Sequence, residues 1–370
     1  MSDDRYLRHS LIDWFDQEMV AAARVIVVGA GATGNEVLKT LCLLGVGHLH
    51  IIDYDRIEPH NLTRAILFSQ TDIGRYKAEV AAASCKLIDR NVNITYSTEN
   101  FWKSLSIDQI RTYDALFCCV DNFEARIKLS QLCWIARTDL YNTAIDSRFV
   151  TVERYPFSTS SDCPCYECAL PESVYDKRNQ RYSCGWLRKR AFEEKKIPTT
   201  TITASIAGAQ ACSLYLHGNK AKGPVGAVRC FTDTILLNST SSNIIRNSEC
   251  PACSGLPRES QYFKVRNRKL LNILSSHELP ENLTISLSDK IVLDVTCKVC
   301  GHKKSINDVV DKYDDSLLYC DTCGLISNEV VIKDVLTLSE LHNTFPQSKI
   351  PVKYLSFYMD GLRFILELED

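Results

Sequence analysis

The sequence predicts an α/β protein: a doubly wound, mostly parallel Rossmann-like sheet with a smaller C-terminal zinc-ribbon module. Three observations predict it. An apolar run, RVIVV at 24–28, leads directly into GAGATG at 29–34. Strand-like and helix-like stretches then alternate up to about residue 150. Four Cys-x2-Cys pairs follow: Cys165/Cys168, Cys250/Cys253, Cys297/Cys300 and Cys320/Cys323.

RVIVV reads as a short buried strand, since a parallel strand covered on both faces is apolar throughout. After GAGATG, the stretch NEVLKTLCLLG places Val37, Leu38, Leu41 and Leu44 at helical spacing and closes on Gly45. HLHIID (48–53) is the next strand, which completes a βαβ unit. Further strands are expected at 92–97, 114–121 and 140–145, with helices between them. That alternation implies a parallel sheet. Past residue 150 the pattern changes. Residues 158–168 read as a loop, 175–196 as a charged stretch holding Cys184, and 202–218 as a packed helix of small residues. Two domains are expected, 1–258 and 259–370, the second containing the 297–323 ribbon and strand-like runs such as RFILEL.

The glycines have separate tasks. Gly29 permits the tight turn, Gly31 lets backbone approach phosphate, and Gly34 allows close helix packing. The helix N-terminus adds free N–H groups and a positive dipole end. Asp53, 19 residues after Gly34, can hydrogen-bond ribose hydroxyls. This fingerprint alone suits NAD at least as well as ATP.

The next segment, DYDRIEPHNLTRAILFSQTDIGRYKAE, changes the balance. It resembles the ThiF/MoeB and ubiquitin-activating family in Asp53, Asp55, Asn61, Leu62, Arg64, Asp72, Gly74 and Lys77. CCVDNFEAR is similar to that family's stretch in Asp121, Asn122 and Arg126, and RYLRH at 5–9 to its N-terminal motif. Ala65 and His9 stand where the family usually has Gln. The resemblance covers roughly residues 5–255 and implies adenylation by ATP, in which a carboxylate attacks the α-phosphate and pyrophosphate leaves. Gly29, Gly31, Gly34, Asp53, Asp55, Asn61, Arg64, Lys77 and Asn122 would then bind nucleotide. Arg64 and Lys77, with Arg8 reaching over from the other subunit of a homodimer, would hold the developing charge, and Asp121 would hold Mg²⁺. A C-terminal carboxylate needs no general base, being ionised at neutral pH.

Cys297/Cys300 and Cys320/Cys323 are separated by 19 residues, the spacing of a closed four-thiolate structural zinc ribbon. By the family resemblance, Cys165, Cys168, Cys250 and Cys253 form a second site, giving two zinc ions per chain. Cys163 is an extra thiol, either a bystander or a substitute for Cys165. Cys184 sits among Arg181, Arg188, Lys189 and Arg190, charges that favour a thiolate. The family often carries a cysteine there, which takes the activated protein as a thioester or serves acyl-disulfide chemistry. Cys42, Cys85, Cys118, Cys119, Cys133, Cys212 and Cys230 read as small buried hydrophobes.

A net charge of −2 excludes a strong general attraction to nucleic acid or anionic membrane. MSDDRYLRHS lacks the features of a signal peptide, so a cytoplasmic location is expected. The leading expectation is an activating enzyme. It adenylates the free C-terminus of a ubiquitin-like protein, forms a thioester on Cys184 and hands the protein to a conjugating enzyme. Activation of a sulfur carrier for thiamine or molybdopterin synthesis is the alternative. An NAD-dependent oxidoreductase is remoter, because no catalytic His or Tyr-Lys arrangement is present.

Overall fold

The computed structural model describes residues 4–159, 162–170, 198–218, 226–250, 252–253, 260–276, 279–313, 315–346 and 349–369. They fall into two compact units, divided near residue 255. Cys184 and its basic neighbours lie outside the described residues.

The first unit is built on an eight-stranded sheet of order β3-β2-β1-β4-β5-β6-β7-β8. A short helix, α1 (Gln17–Ala22), precedes β1 (Arg24–Val28). Next come α2 (Ala32–Leu44), β2 (His48–Ile52), α3 (Lys77–Ile88) and β3 (Asn93–Ser97). Two short helices, α4 (Phe101–Ser104) and α5 (Ile107–Arg111), lead to β4 (Ala115–Cys118), α6 (Phe123–Ala136) and β5 (Asp139–Ile145). These five strands run parallel. The change of pattern past residue 150 does not end the sheet. β6 (Phe149–Tyr155), β7 (Val228–Asp233) and β8 (Asn238–Asn243) extend it in antiparallel fashion. All six residues of β8 are exposed, as befits a polar edge strand.

α7 (Thr201–Gly218) packs its small residues against α2. A Cβ on Gly208 would lie 2.6 Å from Glu36 Cβ, so the two helices approach more closely than any larger residue would allow. Val25, Val27, Val37, Leu38, Leu41, Leu49, Ile51, Ala207 and Ala211 share one core.

The second unit is more than the ribbon expected from the cysteines. It is a six-stranded sheet with helices, built from β9 (Ser260–Arg266), α8 (Leu270–Ser276), β10 (Thr284–Cys297), β11 (Lys303–Val309), β12 (Asn328–Thr337), α9 (Leu338–Thr344), β13 (Tyr354–Met359) and β14 (Leu362–Glu369). β10 pairs with β11, β12 and β13, and β14 pairs in parallel with β9. Ile285, Ile291, Leu336, Leu341, Phe345, Leu355 and Leu366 form its core. The cysteines cap only the far end of β10. Among the described residues no helix is long and apolar enough to cross a membrane.

Candidate functional site

The site lies at the carboxyl ends of β1, β2 and β4, where a doubly wound sheet opens its ligand crevice. Gly29 has φ 92°, and a Cβ there would lie 2.5 Å from the Cys119 carbonyl oxygen. Gly34 passes so close to the Gly29 carbonyl that a Cβ would meet it at 1.9 Å. Gly31, the N-cap of α2, has nothing within 4 Å of the position its Cβ would take. Two glycines thus fold the turn, and the third leaves bare backbone at a helix N-terminus, a surface suited to phosphate.

Asp53 anchors this turn. Its Oδ2 accepts from Ala30 N–H at 2.7 Å and its Oδ1 from Asp55 N–H at 2.8 Å. Burial pushes its carboxyl up, opposed by Lys77 and these two N–H groups. Lys77 begins α3 and donates to Asp55 Oδ2 at 2.8 Å. Tyr54 stands among carboxylates: after burial, Asp55, Asp121 and Asp53 each raise its phenol. The structure therefore gathers Asp53, Asp55, Lys77 and Asp121 around one residue.

Asp121 is exposed and does not cap α6; Asn122 does, accepting from Ala125 N–H at 2.9 Å. Asp121 is left with an Oδ1 contact to Asn122 Nδ2 at 3.4 Å. Asn61 likewise holds its own turn, its Oδ1 accepting from Glu58 N–H at 2.9 Å. Arg64, half-buried at the end of that turn, donates to His60 O at 2.7 Å. Asn122 and Asn61 thus spend a side-chain oxygen on backbone and place Asp121 and Arg64.

Two positioning residues were missed as such from sequence. Asn35, fully buried on α2, donates to Ala30 O at 2.7 Å and Gly31 O at 3.0 Å. It also accepts from Leu67 N–H at 2.8 Å, tying the Arg64 loop to the glycine turn. A polar residue beside the apolar face of an amphipathic helix was the available signal. Buried Arg126 donates to Asn142 Oδ1 and Thr143 O at 2.5 Å and to Val120 O, fixing the Asp121 turn from beneath.

Arg8 is not at this site in its own chain. Tyr6 packs against Gly45 at the C-terminal end of α2 and bonds Asp89 at the end of α3 at 2.6 Å. α2 has 13 residues, about 20 Å of helix between that end and the glycine turn. Arg8 is exposed there.

The cysteines form two tetrads, and in each the sulfurs lie within 4.8 Å of one another. Sγ–Sγ separations are 3.6 Å for Cys165–Cys250, 3.4 Å for Cys168–Cys253, 3.7 Å for Cys297–Cys323 and 3.5 Å for Cys300–Cys320. Sulfurs ~2.3 Å from a tetrahedral zinc lie roughly 3.8 Å apart. Both tetrads fit. In the second, the N–H groups of Val299 and Cys300 point at Cys297 Sγ and that of Thr322 at Cys320 Sγ, which favours thiolates. Cys163 is not in the first tetrad: its thiol contacts the Pro164 carbonyl, and burial pushes it up to about 12. The seven remaining predicted core cysteines are buried, except Cys230, which is partly exposed.

Fold and site together define a Rossmann-type α/β protein with a glycine turn suited to phosphate and two cysteine tetrads suited to zinc. The chain belongs to the ThiF family, whose profile matches residues 4–252. It is 32% identical over 173 residues to the SAMP-activating enzyme E1 of Haloferax volcanii, covering 46% of this chain and 63% of that one. It is 26% identical over 264 residues to the sulfur carrier protein adenylyltransferase of Thermus thermophilus, covering 70% of this chain and 93% of that one. It is 29% identical over 205 residues to ubiquitin-like modifier-activating enzyme 5 of Drosophila virilis, covering 52% and 50%. The chain thus spans less than two thirds of the first and third of these relatives. The solved structure of E. coli MccB with ATP shares the fold, with a TM-score of 0.55 and 22% identity over 68% of this chain and 74% of that one.

Proposed function

We propose that this chain uses Mg²⁺ and ATP to adenylate the C-terminal carboxylate of a small ubiquitin-like carrier. The observation that carries the reading is the convergence of the open Gly31 backbone, Lys77, Asp53, Asp55 and Asp121 at one end of the sheet. A carboxylate oxygen forms a bond to the α-phosphorus, the bond to pyrophosphate breaks, and charge builds on the leaving oxygens. Lys77 and Arg64 hold that charge. Asp55 holds the Lys77 ammonium at 2.8 Å, a partner that a phosphate oxygen would replace. Asp121 would hold Mg²⁺, which supplies charge neutralisation at the phosphates. The Haloferax and Drosophila relatives support this reading by their names, as does the Thermus one.

Carrier-dependent ATP–pyrophosphate exchange tests it. Asp121→Ala should lose about 2–4 kcal/mol of transition-state stabilisation, roughly thirty- to nine-hundred-fold in exchange rate. Unchanged exchange in that variant removes Asp121 from the reaction. Arg8, placed at the far end of α2, serves the site of a second copy in a homodimer.

Two fates for the acyl-adenylate follow. In one, the Cys184 thiolate attacks the acyl carbon and AMP leaves, giving a thioester for a conjugating enzyme. In the other, the chain activates a sulfur carrier; the match over 93% of the Thermus enzyme supports this reading, as the Haloferax and Drosophila matches support the first. A thiol-sensitive adduct formed from ATP and carrier alone, and lost in Cys184→Ala with exchange intact, selects the thioester. An adduct that requires a persulfide donor selects sulfur transfer.

A further inference from the structure

Among the described residues, the second unit carries a cation with no carboxylate bonded to it. Arg363, near the start of β14, lies directly across from Tyr358 on β13. Its Nη2 donates to Ser356 Oγ at 3.3 Å. Its Nε is buried and has no hydrogen-bond partner. Burial lowers its pKa, and the Tyr358 phenol is the one group that opposes this. Alternation places Glu367 on the same face, but four residues on, about 13 Å along the strand. Glu367 is already engaged by the Tyr262 hydroxyl and by Lys353 at 3.8 Å.

The first unit treats its arginines differently. Arg148 pairs with Asp233, Arg154 with Asp139, and Arg229 with Glu153. Buried Arg126 is satisfied by three oxygens. A guanidinium taken out of water without such partners is a cost to folding. Arg363 is partly exposed, but its buried Nε bears part of that cost, and its one bond is a long one to a neutral hydroxyl.

The neighbours suggest what completes it. Ser356 accepts from Arg363, so its own O–H remains free to donate. Tyr358 is half-exposed and opens this corner of the sheet to solvent. Arg363, Ser356 and Tyr358 thus set three donors side by side across a two-strand ladder, with no carboxylate among the described residues bonded to any of them. A planar guanidinium in such a setting matches the geometry of an oxyanion. We infer that Arg363, with the hydroxyls of Ser356 and Tyr358, binds one oxyanion group, carboxylate or phosphoryl, of a ligand outside this chain. The inference stands apart from the adenylation reading and uses none of its residues.

The test uses the full chain with two probes, inorganic phosphate followed by ³¹P line broadening and ¹³C-labelled acetate followed by carbon line broadening. Each is compared between the wild type and Arg363→Met, so that binding at the nucleotide face cancels. One probe should bind the wild type and bind Arg363→Met at least about tenfold more weakly, the loss expected for a charge-assisted hydrogen bond. Tyr358→Phe should weaken the same probe by less, and Arg363→Lys should retain part of the binding. Phosphate alone identifies a phosphoryl ligand, and acetate alone a carboxylate. Without probe, Arg363→Met should unfold at the same temperature as wild type or higher. Equal binding to wild type and Arg363→Met, or no binding of either probe, overturns the inference. So does an Arg363→Met or Tyr358→Phe chain that is less stable without showing any difference in binding, for then Arg363 is a structural residue.

Discussion

The two cysteine tetrads hold the same chemistry in opposite settings. Cys165 and Cys168 meet Cys250 and Cys253 across 85 residues of chain, and three of those four residues are buried. Cys297 and Cys300 meet Cys320 and Cys323 within one ribbon, with Cys300 exposed. The first tetrad joins the end of the β6 segment to the segment after β8, and so closes the antiparallel half of the large sheet. The second caps the end of β10, whose own unit has a separate core of leucines, isoleucines and phenylalanines. One metal site would hold distant parts of a domain together; the other would finish a local turn.

The largest effect should come from breaking this contrast directly. Each of Cys250→Ser and Cys300→Ser should lower the metal content from two zinc ions per chain to one. Structural zinc sites contribute on the order of 10 kcal/mol to the folding of the smallest domains, and several here is a fair expectation. Cys250→Ser should therefore unfold much of the first unit and abolish ATP–pyrophosphate exchange. Cys300→Ser should loosen the ribbon and leave exchange largely intact. Equal loss of exchange in both variants would mean that the tetrads do not differ in reach. With wild type, a chelator should remove the ribbon zinc first, since one of its ligands is exposed.

A smaller effect sharpens the comparison from the side of pH. His50 on β2 is buried, its Nδ1 bonded to Thr95 Oγ1 at 2.7 Å and its Nε2 without a partner. Burial lowers its pKa below the ordinary value near 6.5. The unfolded chain then binds this proton more readily than the folded one. Stability from this group is complete above about pH 6.5 and is lost as pH falls below it, by at most about 1.4 kcal/mol per pH unit. His50→Phe should flatten that slope between pH 6.5 and 5 in the first unit and leave the second unchanged. An unaltered slope in the variant would assign the acid sensitivity to the thiolates.

The same contrast explains what could be read from the residues. The ribbon tetrad was legible because its four cysteines share a short stretch with fixed spacing. The other rested on family resemblance, since 85 residues of chain carry no distance information. RVIVV, the glycine turn and the first βαβ unit were legible because a covered parallel strand is apolar throughout and the turn demands glycine. β8 was not, because NSTSSN is a polar edge strand with no buried face to give it a pattern. The sheet of the second unit was also missed. Alternation in TISLSDKIVLDV is present, but β10 shifts register twice and pairs on both sides, which breaks the period. The charged candidates Asp53, Asp55, Lys77 and Asp121 could be named from the sequence; Asn35 and the supporting role of Arg126 could not, because they bond backbone brought in from elsewhere.

The central claim is that a carrier carboxylate is joined to the α-phosphate of ATP. The most direct measurement incubates the full chain and a ubiquitin-like carrier with ATP labelled either at the α- or at the γ-phosphate, with Mg²⁺ and without thiol. The account predicts label on the carrier from α-labelled ATP alone, none when the carrier's C-terminus is amidated, and release of labelled pyrophosphate from the γ-labelled substrate. Transfer of the γ-label to the carrier, or α-label on an amidated carrier, would contradict it.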